Sequence, residues 1–446
     1  MKHRKRAAWL LTAAAFFGAP FFPAPCETTW QTVEAAFAPN TVDRTPYEKN
    51  VEIDPYGQSY IRALPGILRV RRETMEATGK KMPWSGFGAF TNPGEAGNVF
   101  DALNREAMEE QEEALSGKSM PIYRSKFVQR MDTSVVSFLE SNAAYQGGHR
   151  GRYGVFGRNF DARGSRELTL DDMFTDTAAL AELIAARLRV DYPGVAFRNA
   201  LEDYLSEKVE KGYLQWTFFA RGATFYFTPY DIVAGADRYD AGKMIYTATI
   251  FFHEAPELFD EEYRMGAPAW SLEVEPSMPI RVPLGDGTTA MLTVFGKIIR
   301  LGDFELVEEE PLRYQRWTFV SLMDVRRYLY ADVEPYAKGE TLPHELRVYR
   351  LSPDGVERLP GSRPLTMLAS SEDEDDRLIL PMTSPGNFCL CKATSPGEEP
   401  TDHYRWLMNR DIGHANINEI LEEEKTHVHY HVGPDGWPEE GAMWQY

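Results

Sequence analysis

The stretch from Met131 to Ala255 constrains the fold most, because the spacing of its hydrophobic residues changes along the chain. Residues 135–140 alternate between two faces with a period of two, which is typical of a β-strand. Gly147-Gly148 follows this strand and predicts a sharp turn, since glycine accepts a positive φ angle. The first part of the stretch is therefore expected to form strands joined by a tight connection.

The second part of the stretch changes to helical spacing and then returns to strands. Hydrophobic residues between 180 and 188 fall on one face of a helix that ends at Pro193-Gly194. A second helical pattern covers 197–211 and ends at Gly212. Alternating patterns then predict strands over 214–220, 225–227 and 243–252. This order predicts an α+β fold class, an antiparallel sheet with helices packed on one face.

Three segments of this stretch resemble a known extracytoplasmic domain of unknown function. They are TSVVSFLESNAAYQGGHRG (133–151), RELTLDDMF (166–174) and FYFTPYDIVAGADRY (225–239). The domain is RsiV-like: it forms the C-terminal part of an anti-sigma-V factor and is an accessory domain in a peptidoglycan deacetylase. The resemblance covers about residues 120–258. In the anti-sigma factor the domain binds lysozyme, so the resemblance implies an extracellular binding module and not a catalyst.

The amino terminus has the pattern of an export signal. A basic segment, Lys2 to Arg6, precedes an apolar segment from Ala7 to Phe22, whose length is typical of a signal peptide. We predict an exported protein with residues 1–26 as signal peptide, located in the periplasm, on the cell surface or outside the cell. An uncleaved anchor is the alternative, and lipidation at Cys26 is a second one, although Pro25 departs from the usual lipoprotein site.

The rest of the chain divides by composition. Residues 27–50 have little periodicity and predict a linker, while 51–259 contain the RsiV-like α+β domain. After this domain, 266–446 hold short alternating runs separated by turn pairs, which predict one or two mostly β domains. The clearest C-terminal strands are expected over 291–301, 316–322 and 346–351.

The charge of the chain restricts its partners. With 48 Lys and Arg against 67 Asp and Glu, the formal net charge is −19. An acidic protein is a poor partner for nucleic acid or an anionic lipid surface, so contact with a membrane is expected only through an N-terminal anchor or lipid. A cationic protein such as lysozyme fits the charge, although acidity also simply keeps an exported protein soluble.

A histidine cluster near the carboxyl end is the sharpest chemical motif. Residues two apart on a strand share a face, so His427, His429 and His431 are expected to lie together. Neutral imidazole is a common ligand for zinc, copper and nickel, and this spacing makes the cluster a candidate site for a divalent transition metal. An exposed strand without metal is the alternative, and no cofactor is required by any other motif.

Aromatic and basic residues near two predicted turns are the candidates for recognition. Such residues dominate binding hot spots, and loops on a rigid sheet commonly carry them. Core packing is the competing interpretation for each ring. The candidate ligand-binding residues are Tyr145, His149, Arg150, Tyr153, Tyr226 and Tyr230.

No motif of a common enzyme class is found in the sequence. A Gly-x-Ser-x-Gly elbow, a Walker loop, a dinucleotide fingerprint and a His-Glu-x-x-His sequence are all missing. We therefore predict an exported, non-enzymatic binding protein of the bacterial cell envelope, with no catalytic residues assigned. Its predicted ligand is a cationic protein such as lysozyme or a cell-wall glycan. The alternative is a metal-dependent enzyme that acts on envelope polysaccharide through the histidine cluster.

Overall fold

The computed structural model describes part of the chain between residues 51 and 441. The predicted signal peptide, 1–26, and the predicted linker, 27–50, lie outside the described residues. The described ranges are 51–53, 59–61, 67–77, 80–91, 109, 122–132, 134–145, 151–162, 166–236, 244–264, 269–276, 278–310, 312–337, 340–369, 376–386, 388–393 and 429–441.

Strands account for most of the described elements. The first eleven are β1 Val51–Ile53, β2 Ser59–Ile61, β3 Ile67–Ala77, β4 Lys80–Thr91, β5 Ile122–Met131, β6 Val135–Tyr145, β7 Gly151–Asp161, β8 Arg166–Glu167, β9 Gln215–Phe219, β10 Gly222–Phe227 and β11 Tyr246–Phe251. The others are β12 Trp270–Val274, β13 Ile280–Pro283, β14 Thr289–Phe295, β15 Ile298–Leu301, β16 Phe304–Val307, β17 Leu312–Ser321, β18 Arg327–Ala337, β19 Glu340–Thr341, β20 Glu345–Ser352, β21 Gly355–Arg358, β22 Leu365–Thr366, β23 Leu368–Ala369, β24 Asp376–Ile379, β25 Phe388–Cys389, β26 Cys391–Lys392, β27 His429–Val432 and β28 Pro438–Glu440.

These strands form several small sheets, and each described pairing is antiparallel. The sheets that matter for function are β5-β6-β7-β8, β11-β10-β9, β13-β14-β15-β16 and β12-β17-β18-β20-β21, with β19 beside β18. The smaller ones are β1-β2, β22-β26, β23-β24-β3-β4 and β25-β27-β28.

Apart from residue 109, the helical residues of the described ranges fall in one part of the chain. They are α1 Leu170–Met173, α2 Thr177–Asp191, α3 Leu201–Glu210 and α4 Pro229–Ile232, with 3-10 turns at Pro256–Leu258 and Glu261–Tyr263. Asp176 caps α2 by accepting hydrogen bonds from the N–H groups of Ala178 and Ala179. Leu180, Ile184 and Leu188 of α2 are fully buried, as their helical spacing predicts.

The predicted α+β fold class is wrong, because the chain is mostly β and consists of many small antiparallel sheets. Two helices, α2 and α3, do lie near the positions that periodicity predicts, and β9, β10 and β11 follow them. They occupy one short region, whereas strands continue through the residues on both sides of it. The error arose from extending the pattern of this region to the architecture of the whole chain.

The C-terminal strands contribute to two hydrophobic clusters, one with residues of β12 to β18 and a second with other residues of β17, β18 and β20. The expected strand over 291–301 is divided into β14 and β15 by a turn at Gly296, whose φ is +56°. The inner faces of β14 and β15 contribute Leu292 and Ile299, and these pack in one cluster with Trp317 of β17 and other buried residues. The small sheet therefore covers one face of the larger sheet that contains β12, β17 and β18.

Strands β7 and β9 approach each other unusually closely at Gly157. A Cβ atom placed on Gly157 would lie 1.8 Å from the carbonyl oxygen of Trp216. Asn159 donates a hydrogen bond of 2.8 Å to the same oxygen, and the Gln215 side chain accepts one of 3.2 Å from the Gly157 N–H. Only glycine permits this distance, so it fixes how the β9 sheet sits on the β5–β8 sheet.

Buried polar contacts of Glu273 join β12 to β5, and we call Glu273 with its partners Val128, Gln129 and Arg316 the β12 seam. The Glu273 carboxylate accepts a hydrogen bond of 2.6 Å from the Val128 N–H and forms a two-point ion pair with Arg316. Strand β5 has a bulge at Gln129, whose side chain donates a bond of 2.7 Å to the Glu273 carbonyl. Residues on both sides of 260 therefore share one buried network.

Within the described ranges, every helix is too short or too polar to cross a bilayer.

Candidate functional site

The best candidate for a binding site is an exposed aromatic and charged surface beside α3. We call it the Tyr204 surface. It is formed by α3, the loops that flank it and the short helix α4, and its residues are Arg198, Tyr204, Lys208, Tyr213, Tyr230 and Asp231.

Local sequence signals position the α4 side of this surface. Thr228 and Asp231 form a capping box, in which the Asp231 carboxylate accepts hydrogen bonds from the N–H and hydroxyl of Thr228. Pro229 occupies the first helical position, where its missing N–H costs nothing. This arrangement places Tyr230 and Asp231 on one short, well-defined turn.

The segment before α3 is tied to the same turn by backbone bonds. Arg198 donates its N–H to the Ile232 carbonyl at 2.9 Å, and Ala234 donates to Ala196 at 2.9 Å. Ala200 then takes a left-handed conformation, with φ +52°, which delays the start of α3 relative to the predicted helical segment 197–211. A non-glycine residue in this region costs about 1–2 kcal/mol, so the neighbouring contacts hold it in place.

Asp231 is the centre of the polar contacts. Its Oδ1 atom accepts a hydrogen bond of 3.1 Å from the Tyr204 hydroxyl and lies 3.7 Å from Lys208 Nζ. Its backbone carbonyl accepts a hydrogen bond of 2.9 Å from Arg198 Nη1. Burial and the nearby carboxylate raise the pKa of Tyr204, so its hydroxyl remains a donor at neutral pH.

The cations also contact aromatic rings. The Arg198 guanidinium lies 3.9 Å from the centroid of the Tyr204 ring, and Lys208 Nζ lies 5.4 Å from the same centroid. Lys208 Nζ is also 5.9 Å from the centroid of the Tyr213 ring. Tyr213 is 62% exposed and Tyr230 is 50% exposed. Two open rings thus lie beside a fixed set of hydrogen-bonding groups, a combination suited to recognition.

Tyr153, a residue predicted from sequence, lies in a different and enclosed place. Its hydroxyl donates a hydrogen bond of 2.9 Å to Oε1 of Glu275. Tyr153 packs against a hydrophobic cluster that contains Val155, Tyr226 and Met278. The Glu275 Oε2 atom is buried and has no hydrogen-bond partner among the described residues. Burial raises the pKa of Glu275 to about 8, although the Tyr153 and Ser141 hydroxyl groups act in the opposite direction.

We expect the Glu275 carboxyl to make stability depend on pH. Its folded-state pKa of about 8 lies above the ordinary value of 4.5, so its favourable contribution is complete below pH 4.5 and is lost as the pH rises through 8. Glu275→Gln keeps the neutral shape and removes the titration. We expect the variant to match the native protein near pH 5 and to exceed it in unfolding free energy at pH 8.5 by roughly 2–4 kcal/mol.

Urea unfolding at several pH values measures this difference. Glu182→Gln, at an exposed position on α2, is the matched control and should leave the pH profile unchanged. If the unfolding free energies of the native protein and Glu275→Gln changed with pH in parallel, the raised pKa of Glu275 would be contradicted.

The other predicted ligand-binding residues are not gathered with Tyr153. Tyr226 is 5% exposed, and its hydroxyl makes a hydrogen bond of 2.8 Å with the Thr217 hydroxyl, so its ring belongs to the core cluster. Tyr145 ends β6, but its side chain lies outside the described part of the structure, as do His149 and Arg150 entirely. Tyr230 is the predicted residue that belongs to the Tyr204 surface.

The predicted histidine cluster is described only in part. His427 lies outside the described residues, and the backbone of His429 lies opposite Cys389 in the β25–β27 pair. His431 is buried, with 5% exposure, and its backbone lies opposite Glu439 in the β27–β28 pair. Within the described ranges, no group of three or more His, Cys, Asp or Glu residues has the arrangement of a metal site. The metal site therefore stays a prediction.

The solved structures that are similar to part of the chain include DUF3298 family proteins, at low identity. No family model matches the chain, and no curated protein matches it. A solved DUF3298 family member from Bacteroides fragilis is 17% identical, covering 45% of this chain and 96% of its own, with a TM-score of 0.33. A DUF3298 family protein from Pseudomonas aeruginosa is 13% identical, covering 46% and 98%, with a TM-score of 0.34. Identities and TM-scores this low support no conclusion about the site.

Several residues of the site were missed by the sequence analysis. Tyr204 and Lys208 are four residues apart on a helix, and that spacing alone could have indicated that they are neighbours. Arg198 and Asp231 are separated by 33 residues, and no sequence pattern links them. Glu275 follows Glu273 at strand spacing just after the end of β12, which could have indicated two carboxyl groups on one side of this segment.

Proposed function

We propose that this chain is an exported, non-enzymatic binding protein of the bacterial cell envelope, in which the Tyr204 surface contacts the ligand. The observation that carries the proposal is the pair of open rings, Tyr213 and Tyr230, beside the Asp231 contacts. The ligand is a component of the envelope environment, either cell-wall glycan or a cationic protein such as lysozyme.

Sequence features support the location and the kind of activity. The basic and apolar segments at residues 2–22 favour export, and the RsiV-like segments resemble a domain that binds and does not catalyse. The net charge of −19 disfavours nucleic acid and suits a cationic protein. We accordingly extend the RsiV-like assignment to this chain as part of the proposal.

The test measures binding of the purified chain to insoluble peptidoglycan by co-sedimentation and to lysozyme by calorimetry. Saturable binding to one of them is expected. The double variant Tyr213→Ala/Tyr230→Ala should weaken that binding about tenfold or more, because exposed aromatic anchors contribute more than 1 kcal/mol each to typical interfaces.

Phe295→Ala is the matched control, since Phe295 is an aromatic residue of similar exposure, 64%, on a different element, β14. It should leave the affinity unchanged. If the native chain binds neither peptidoglycan nor lysozyme at high concentration, the proposed function is wrong.

A further inference from the structure

We propose that Glu275 is a pH-sensitive switch in the connection between β12 and β13. While its carboxyl is protonated, the connecting segment, 275–279, stays against the β5–β8 sheet, and when the proton is lost the segment detaches locally. The movement takes place within the folded chain and does not depend on the proposed binding function.

A small set of contacts holds the segment against the β5–β8 sheet. Tyr153 of β7 donates a hydrogen bond of 2.9 Å to Glu275 Oε1, and the Ser141 hydroxyl of β6 donates to the same carboxyl. Met278 packs in one hydrophobic cluster with Phe127 of β5. One carboxyl group therefore carries the polar part of this attachment.

The ends of the segment are anchored elsewhere, so that its movement can remain local. Strand β12 pairs with β17 up to Val274, and the Pro279 carbonyl accepts a hydrogen bond of 2.5 Å from the Thr247 hydroxyl of β11. The Met278 N–H donates to the Glu275 carbonyl at 3.2 Å, a bond that lies inside the segment and does not tie it to a sheet. The residues between these anchors can move while both sheets remain paired.

The position of the carboxyl suits its neutral form. Glu275 Oε2 is buried and has no hydrogen-bond partner among the described residues. An ionised carboxylate there would lack both water and a counter-charge, whereas a protonated one needs no counter-charge. Two hydroxyl groups, those of Tyr153 and Ser141, act against burial and only partly offset it.

The other neighbours supply no balancing cation. Strand β5 contributes the uncharged Phe127, and β10 contributes Tyr226, whose pKa is itself raised by burial and by the Glu275 charge. Two residues earlier in the chain, Glu273 is paired with Arg316, so the charge of that guanidinium is already balanced. Ionisation of Glu275 is therefore relieved by moving the carboxylate into water.

The direction of the pH effect follows from the two states of the segment. Burial raises the pKa of Glu275 to about 8 in the attached state, and in water the carboxyl regains its ordinary value of 4.5. Detachment between these two pH values therefore releases one proton. It becomes about tenfold more favourable for each pH unit in this window and levels off above it.

The test is hydrogen exchange of the full chain, followed by mass spectrometry and corrected for the intrinsic exchange rate at each pH. Protection of the peptide that contains 275–280 should fall about a hundredfold between about pH 5.5 and pH 7.5, because both values lie within the window. Low concentrations of urea should not change this protection, since local detachment exposes little surface. Protection of β14 and β15, in a separate cluster, should fall with urea.

Three substitutions assign the effect to the carboxyl. Glu275→Gln still accepts the bond from Tyr153 but does not titrate, so the segment should keep its protection at both pH values. Tyr153→Phe removes the donor and should lower protection severalfold at each pH, with the pH dependence retained because burial remains. Glu182→Gln, at an exposed position on α2, is the control and should behave like the native chain.

Two results would overturn the inference. One is an equal fall of protection with pH in the native chain and in Glu275→Gln. The other is protection of 275–280 that responds to urea as β14 and β15 do, since the segment would then open only when the whole chain unfolds. If Glu275→Gln did not fold, the pH slope and the urea response of the native chain would still decide.

Discussion

Glu273→Gln should lower the unfolding free energy by about 3–5 kcal/mol, the range expected when one partner of a buried ion pair is removed. The Glu273 side chain is fully buried, and Arg316 is 7% exposed. Glutamine would keep the shape but leave the Arg316 charge without compensation in the core. Its amide group would also face the Val128 N–H, which now donates to Oε2 at 2.6 Å. Urea unfolding followed by tryptophan fluorescence measures the loss.

An exposed ion pair provides the control for this substitution. Glu305 pairs with Arg300 at 2.7 Å, but the side chains are 41% and 61% exposed. Glu305→Gln should therefore cost less than about 1 kcal/mol. The double variant Glu273→Leu/Arg316→Met should recover part of the stability lost in the single variant, because it removes both buried charges. Equal losses in Glu273→Gln and Glu305→Gln would contradict the role assigned to the β12 seam.

Gly157→Ala should lower the unfolding free energy by about 3 kcal/mol or more. The new methyl group would lie 1.8 Å from the Trp216 carbonyl oxygen and 2.4 Å from its carbon, so β7 and β9 would have to separate. Overpacking commonly costs 1–3 kcal/mol, and this clash involves backbone that cannot rotate away. Separation would also lengthen the bond from Asn159 to the same carbonyl.

Gly154→Ala on the same strand is the matched control. Its Cβ would approach the Phe156 ring at 3.2 Å, and that ring is 44% exposed and free to move outward. The control should change the unfolding free energy by less than about 1 kcal/mol, because a strand also gains from losing a glycine. A tolerated Gly157→Ala, with a thermal midpoint equal to that of Gly154→Ala, would show that the two sheets are less tightly fixed than the distances indicate.

Local periodicity predicted some elements of this fold and failed for its architecture. The spacing of Leu180, Ile184 and Leu188 located α2, since a helix needs only its own residues to show one apolar face. The assembly of many small sheets depends on which strands pair, and pairing joins residues far apart in sequence. Strand β24, for example, pairs with β3 across about three hundred residues. No pattern within either strand encodes that partner.

In the candidate site, too, local sequence patterns did not reveal contacts between residues far apart in the chain. Tyr230 was predicted from sequence because it lies in a short motif, Thr228-Pro229-Tyr230-Asp231, whose turn chemistry is local. The partner of Tyr153 is Glu275, which lies 122 residues later, and the raised pKa of that carboxyl depends on packing that no spacing reveals. Tyr226 was predicted as a contact for ligand, but it is enclosed, because an alternating strand does not indicate which face will be covered.

The bond between Val128 and Glu273 sets an order of events when the chain is made. Strand β5 is the outer strand of its sheet, and the acceptor for this N–H is 145 residues farther along. Synthesis proceeds from the amino end, so the β5–β8 sheet exists for a time with an exposed edge that could pair with another molecule. We expect this interval to be the period of greatest aggregation risk, and it ends only when β12 and β17 have emerged and Arg316 has reached Glu273.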